Sequence, residues 1–146
     1  MPGMPETPKH SVSVAGVVVD DNGRVLVIKR RDNGHWEPPG GVLELSESFE
    51  AGVRREIAEE TGISVEVERL TGVYKNMTRG VVALVFRCRP LSLRPSATDE
   101  AVTVRWVNPS EVVGLMDPAY AIRIDDALGE SAAATRTHDG VQLMQA

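Results

Sequence analysis

Apolar and polar positions alternate with a period of two along the first part of the chain. "SVSVAGVVVD" (11–20) and "RVLVIKR" (24–30) are rich in β-branched residues with the turn "DDNG" between them, which predicts a β-hairpin over 11–30. "RDNGHWEPPGG" (31–41) carries Gly and Pro at several positions and is loop chemistry throughout. From Ser48, a predicted N-cap, a helix runs with Glu50 in its first turn to a stop at Gly62. "SVEVERLTGVYK" (64–75), "VVALVFRCRP" (81–90) and "AVTVRWV" (101–107) are further strands, with "NMTRG" (76–80) turning between the first two. "NPSEVVGL" (108–115) predicts a short helix, and "DPAYAIRIDDALG" (117–129) a second one capped by Asp117 with Pro118 at its first position.

Strands and helices that alternate irregularly predict an α/β fold, a mixed sheet with helices on its faces. Three prolines make residues 1–10 a flexible arm, and the small, polar residues 129–146 predict a loosely ordered tail, which leaves 11–128 as one domain. At 146 residues the chain is long enough for a proper core, and with aromatics at only 4% that core must be aliphatic. A net charge of -5 argues against a general nucleic-acid binder, yet leaves room for a polyanionic substrate held through a divalent cation. The single cysteine, Cys88, excludes an intrachain disulfide and fits a small buried hydrophobe on its strand. The start of the chain has no apolar signal segment and no apolar run has membrane length, so a cytoplasmic protein with no membrane partner is expected.

The helix after Ser48 carries an unusual charge pattern. At about 100° per residue, Phe49, Val53 and Ile57 form an apolar stripe, Gly52, Glu56 and Glu59 fall on the adjoining face, and Glu60 lies at the boundary. Acids one turn apart repel, and the C-terminal end of a helix dipole disfavours them further. Either this is a solvated acidic face, or a hard cation such as Mg²⁺ removes both penalties. Gly52, lacking a side chain, leaves space on that face for another group to approach.

The spacing around the helix is more specific. From Gly41 the chain continues with five residues, Glu47, seven residues, then Arg55, Glu56, Ile57, Ala58, Glu59, Glu60, Thr61, Gly62 and Ile63. This resembles the Nudix box, G-x5-E-x7-R-E-U-x-E-E-x-G-U with U aliphatic, at every defining position. A chance match in a chain of this size is on the order of one in a million. The preceding hairpin, "WEPPGG" and the later "VRWV" strand followed by helices extend the resemblance over about residues 11–128.

The resemblance implies an α/β/α sandwich around a mixed sheet. It also implies a hydrolase of a nucleoside diphosphate linked to another group, working with Mg²⁺ or Mn²⁺. By the same likeness Glu56, Glu59 and Glu60 are the metal carboxylates, and the backbone carbonyl of Gly40 is a further ligand. Arg55 holds the glutamates with Glu47 as its partner. Gly41 and Gly62 are structural, and Glu44 adds a contact around the site. The general base is a box glutamate, Glu59 or Glu60, or an acid on a later loop, for which Glu100 is the candidate; Glu100 is otherwise an exposed loop acid. A homodimer is common in the family.

Substrate contacts are less determined. Trp36 either stacks on a base or covers the hairpin, and Lys29, Arg30 and Arg31 either reach substrate phosphates or face solvent. His35 is read as a loop residue, and His10 and His138 carry no functional expectation. The proline of ADP-ribose-type members and the tyrosine of dinucleoside polyphosphate hydrolases are both missing from their places after the box, and the segment before the box does not resemble the coenzyme A signature. By elimination the chain resembles MutT-like members acting on (d)NTPs or related nucleotides. The alternatives are a Nudix-fold module that senses a nucleotide without cutting it and an acidic-helix interaction domain without a metal.

Overall fold

The hairpin expected over 11–30 closes only at its tip. In this computed structural model, which describes residues 6–95, 98–99 and 101–145, β1 (Ser11–Val18) and β2 (Val25–Arg30) are bridged at Val19 and Val25 and then part into different sheets. Asp20 ties the tip: its carboxylate accepts the backbone N–H groups of Asn22 and Arg24 at 2.9 and 2.8 Å. The strands part because β1 is apolar on both faces, with Val14 to Val18 all buried. A two-stranded ribbon cannot cover both faces, and the centre of a sheet can.

β1 therefore takes β4 (Gly40–Val42) antiparallel on one edge and β6 (Val81–Pro90) parallel on the other. Beyond β6 lie β5 (Val65–Asn76), β8 (Ala134–His138) and β9 (Leu143–Met144), giving a six-stranded mixed sheet in the order β4-β1-β6-β5-β8-β9. β2 lies between β3 (Trp36–Glu37) and β7 (Ala101–Val107) in a three-stranded antiparallel sheet. The helices are α1 (Phe49–Thr61), a short α2 (Val112–Leu115) preceded by a 3-10 turn, and α3 (Pro118–Leu128).

Alternation along β1 divides the interior. Val14 and Val18 pack with Val53, Ile57, Phe86 and Cys88 on the α1 side, and Ala15 and Val17 pack with Tyr74, Val85, Ile124 and Ala127 on the α3 side. This is the expected α/β/α sandwich, with an interior made chiefly of aliphatic side chains and with Cys88 fully buried on β6. Phe49 departs from the stripe predicted for α1 and is 46% exposed, since it sits on the helix's first residue, ahead of the turn that meets the sheet.

The segment 129–146 is not a loose tail. β8 extends the sheet by pairing parallel with β5, and β9 returns antiparallel to it. "ATRTH" carries two β-branched threonines and satisfies the open edge of β5, so a strand forms without the apolar run that would announce it. Among the described residues no helix is long and apolar enough to cross a membrane.

Candidate active site

Ser48 starts α1 by accepting the Ala51 N–H on its hydroxyl at 3.2 Å, and Gly62 ends it at φ 74°, donating its N–H to Ala58 O at 2.9 Å. Between these caps the helix lays Glu56 and Glu60 beside the Val53 and Ile57 stripe, so both carboxylates are buried, at 7% and 2% exposure. They stay there because β4 brings backbone, not side chains, against them. A Cβ on Gly41 would fall on the Glu56 carboxylate, and one on Gly40 would strike Val14 and Ala15 of β1. The Gly40 N–H donates to Glu60 Oε1 at 2.6 Å.

Arg55 knits the rim. Its Nε donates to Glu47 Oε2 at 2.9 Å and its Nη2 to the other oxygen of the same carboxylate, a two-pronged pairing that a lysine could not make. Nη1 reaches Glu56 Oε1 at 2.8 Å and Glu59 Oε2 at 3.2 Å, and Nη2 also meets the Val42 carbonyl at 3.2 Å. Glu47 in turn accepts the Glu44 backbone N–H at 2.9 Å, while the Glu44 residue itself is exposed; what Glu44 contributes is main chain. Leu43 and Glu47 fill the space left by Gly52, so the group admitted there is the chain's own loop.

The electrostatics follow from this packing. Arg55 hydrogen bonding holds the Glu47 carboxyl down to about 2. Glu60 goes the other way: burial pushes it up to about 8, against the Gly40 N–H and with help from the neighbouring charge of Glu56. A buried carboxylate with that history calls for a positive partner. Among the described residues no three His, Cys, Asp or Glu side chains are gathered closely enough to hold a metal ion by themselves. Two buried carboxylates with Glu59 on the rim do fit Mg²⁺, which keeps waters and takes substrate oxygens for its remaining positions.

Glu56, Glu60, Gly40 and Gly41 form one end of a cleft of about 760 Å³, a volume that suits a nucleotide. Its floor is made of small residues, Ser11, Ser13 and Ala15 of β1 and Ala83 of β6. Arg30 and Arg31 line one wall. Arg30 is held by Asp32 and Glu37, both at 3.0 Å, and Arg31 donates to the Asp99 carbonyl at 2.9 Å. Trp36 is not brought to the cleft: it packs on the α3-side core, and the Arg105 guanidinium sits 5.3 Å from its ring centroid. Glu100 lies outside the described residues. His35 is on an exposed loop, 3.8 Å from Asp117.

Several residues absent from the expected set line the cleft, among them Glu37, whose carboxyl burial raises, and Tyr74, Arg123 and His138. A signal existed for Arg123. Ala119, Arg123 and Ala127 recur every four residues on the buried face of α3, and an arginine between two alanines has no place in a purely structural stripe. His138 gave no such sign, because its setting depends on β8 pairing with β5.

The comparisons with known proteins agree with this architecture. The NUDIX domain profile matches residues 9–127. A MutT-like protein of Streptomyces ambofaciens is 58% identical over 139 residues, which is 95% of this chain and 90% of that protein. An ADP-ribose pyrophosphatase of Methanocaldococcus jannaschii is 38% identical over 62% of this chain and 57% of its own length. Among solved structures, the MutT NUDIX hydrolase of Burkholderia pseudomallei superposes with a TM-score of 0.72 at 28% identity, covering 82% of this chain and 98% of that one.

Proposed function

The chain belongs to the Nudix family and is a pyrophosphohydrolase by that membership, and from this premise we propose that it is a Mg²⁺- or Mn²⁺-dependent, MutT-like enzyme acting on (d)NTPs or related nucleotides. The observation that carries the reading is the buried pair Glu56 and Glu60, pressed onto the side-chain-free backbone of Gly40 and Gly41 at the end of a nucleotide-sized cleft.

Hydrolysis of a phosphoric anhydride needs a water in line with the scissile P–O bond, a base for its proton, and neutralisation of the phosphate oxygens. A divalent cation, when bound, supplies that neutralisation and makes the water more acidic. In this reading Glu56, Glu60, Glu59 and the Gly40 carbonyl hold it. Arg55 fixes the orientation of Glu56 and Glu59 from the outside, and Glu47 fixes Arg55. The proton of the attacking water would go to whichever of Glu59 and Glu60 the cation leaves with a free oxygen, or to Glu100, the later acid expected from the sequence. That Arg30 and Arg31 line the cleft supports a contact with phosphate oxygens, which Arg30 would make in competition with Asp32 and Glu37.

The test is turnover of NTPs, dNTPs, oxidised nucleotides, ADP-ribose and dinucleoside polyphosphates with Mg²⁺ or Mn²⁺, followed by phosphate release. ADP-ribose is included because one relative carries that activity in its name. Turnover of nothing, with tight binding of one compound, would replace the enzyme by a nucleotide sensor. Full activity in Glu60→Gln would remove Glu60 from the metal site.

A further inference from the structure

The end of the cleft away from Glu56 and Glu60 is built from donors. Across β1, β6, β5 and β8 the register sets Ser11, Val81, Asn76 and His138 in one row. α3 covers the neighbouring Tyr74, placing the Arg123 guanidinium 5.0 Å from the Tyr74 ring centroid and 4.6 Å from that of Tyr120. Four strand spacings separate β8 from β4 and its glycines, about 19 Å at the backbone.

Arg123 is 7% exposed and His138 1% exposed, and both line the cleft. Among the described residues the Arg123 Nε and the His138 Nε2 have no hydrogen-bond partner. His138 Nδ1 accepts the Gly140 N–H at 2.9 Å, so the ring proton belongs on Nε2 and that atom is a donor. The nearby acids hydrogen-bond to other residues and not to the Arg123 Nε. Asp126, three residues along α3, accepts from the Tyr74 hydroxyl and twice from Arg136, each at 2.7 Å. Glu37, which attracts Arg123, is tied to Arg30 at 3.0 Å.

A buried guanidinium Nε and imidazole Nε2 without acceptors are unfavourable unless an acceptor arrives with the ligand. We propose that this end of the cleft is a second anion subsite, in which Arg123 and His138 Nε2 hold a phosphate or carboxylate on the part of the substrate distant from its diphosphate. The proposal rests on the reading that the diphosphate lies at Glu56 and Glu60; among the related nucleotides of that reading it selects those whose far moiety is itself acidic, and it sets aside simple (d)NTPs, whose far end is a neutral nucleoside. The Tyr74 and Tyr120 rings flank the guanidinium and keep its donor edge in place.

The test uses the full chain without metal. The side-chain ¹⁵N–¹H signals of Arg123 and His138 are followed while inorganic phosphate, and in parallel acetate, is added; whichever anion moves them identifies the preferred group. Both signals are expected to shift together and saturate, with binding more than tenfold weaker in Arg123→Met. That variant is also expected to melt at or above the wild type, because it removes an unpaired buried cation. Phosphate and acetate leaving both signals in place overturns the proposal, as does a neutral nucleoside moving them when neither anion does. A lower melting temperature in Arg123→Met with anion binding unchanged makes Arg123 a packing residue and likewise overturns it. Should Arg123→Met not fold, Arg123→Lys keeps the charge but loses the Nε donor, and unweakened anion binding there is equally fatal. Because no metal is present, this result is independent of the turnover screen: a silent screen with a working anion subsite refutes the hydrolase reading alone.

Discussion

The two ends of the cleft solve opposite problems with opposite means. At the Glu56 and Glu60 end, negative charge is concentrated and then held: Arg55 bridges three carboxylates, and Gly40 donates to Glu60. At the Arg123 and His138 end, donors are buried and left open. In the proposed reading both ends wait for a ligand: a cation where buried carboxylates are only partly compensated within the chain, and an anion where buried donors lack acceptors. The strain of the first end is visible as the raised Glu60 carboxyl, and that of the second as orphaned nitrogens.

The largest effect that can break this contrast is at the acidic end. Glu56→Gln and Glu60→Gln remove one charge each without changing shape, and kcat with Mg²⁺ should fall by about a hundredfold or more. The fold should persist, and Glu60→Gln should melt no lower than wild type without metal at neutral pH, because the cost of holding a carboxyl protonated above its ordinary 4.5 has been removed. Gly41→Ala comes next. Its methyl would land on the Glu56 carboxylate, so the carboxylate must rotate away; a loss of about tenfold to a hundredfold in kcat is expected, since ligand placement tolerates little displacement. Activity equal to wild type would show that Glu56 is not held by the close approach of β4.

How much of this the sequence disclosed depended on the range of the interaction. α1 was legible because its signals are local: Ser48 and Gly62 cap it, and Val53 and Ile57 mark its buried face. The grouping of Arg55, Glu56, Glu59 and Glu60 was legible because helical spacing sets it. What spacing along the chain does not carry is which sheet a strand joins. β1 and β2 read as a hairpin and parted, because local alternation does not say that β1 will be covered on both sides. Likewise the sequence of β8 has the small, polar character of a tail, and His138 acquires its place only through the pairing of β8 with β5. Trp36 shows the limit from the other side: an aromatic beside the box was a natural candidate for base stacking, and the register of β3 on β2 turns it to the core instead.

A smaller effect separates charge from geometry at Arg55. Arg55→Lys keeps a cation near Glu47 but cannot donate to both Glu47 oxygens while reaching Glu56 and Glu59. A loss of about tenfold in kcat is expected, with KM for nucleotide little changed because Arg55 orients ligands from outside. Equal kcat in the lysine variant would reduce the rim to a point charge.

The smallest effect is on stability and has a definite sign. The folded chain holds the Glu60 carboxyl at about 8 against an ordinary 4.5, so between those values it keeps a proton that the unfolded chain has released. Stability from this group is therefore fully present below 4.5 and declines as pH rises toward 8. Glu37, raised by burial as well, adds to the same trend, and Glu47, held at about 2, acts in the opposite sense, its contribution being present above 4.5 and lost as pH falls toward 2. Mg²⁺ binds the ionised carboxylate, so it should restore what the metal-free protein loses. Thermal melts of the wild type are expected to show a larger Mg²⁺-induced rise in Tm at about pH 9 than at about pH 6. Glu60→Gln should flatten both the metal-free decline and the difference between the two Mg²⁺ responses. If the variant retains the wild-type pH dependence, the buried charge at this end of the cleft belongs to another group, and the contrast with the Arg123 end would have to be redrawn around it.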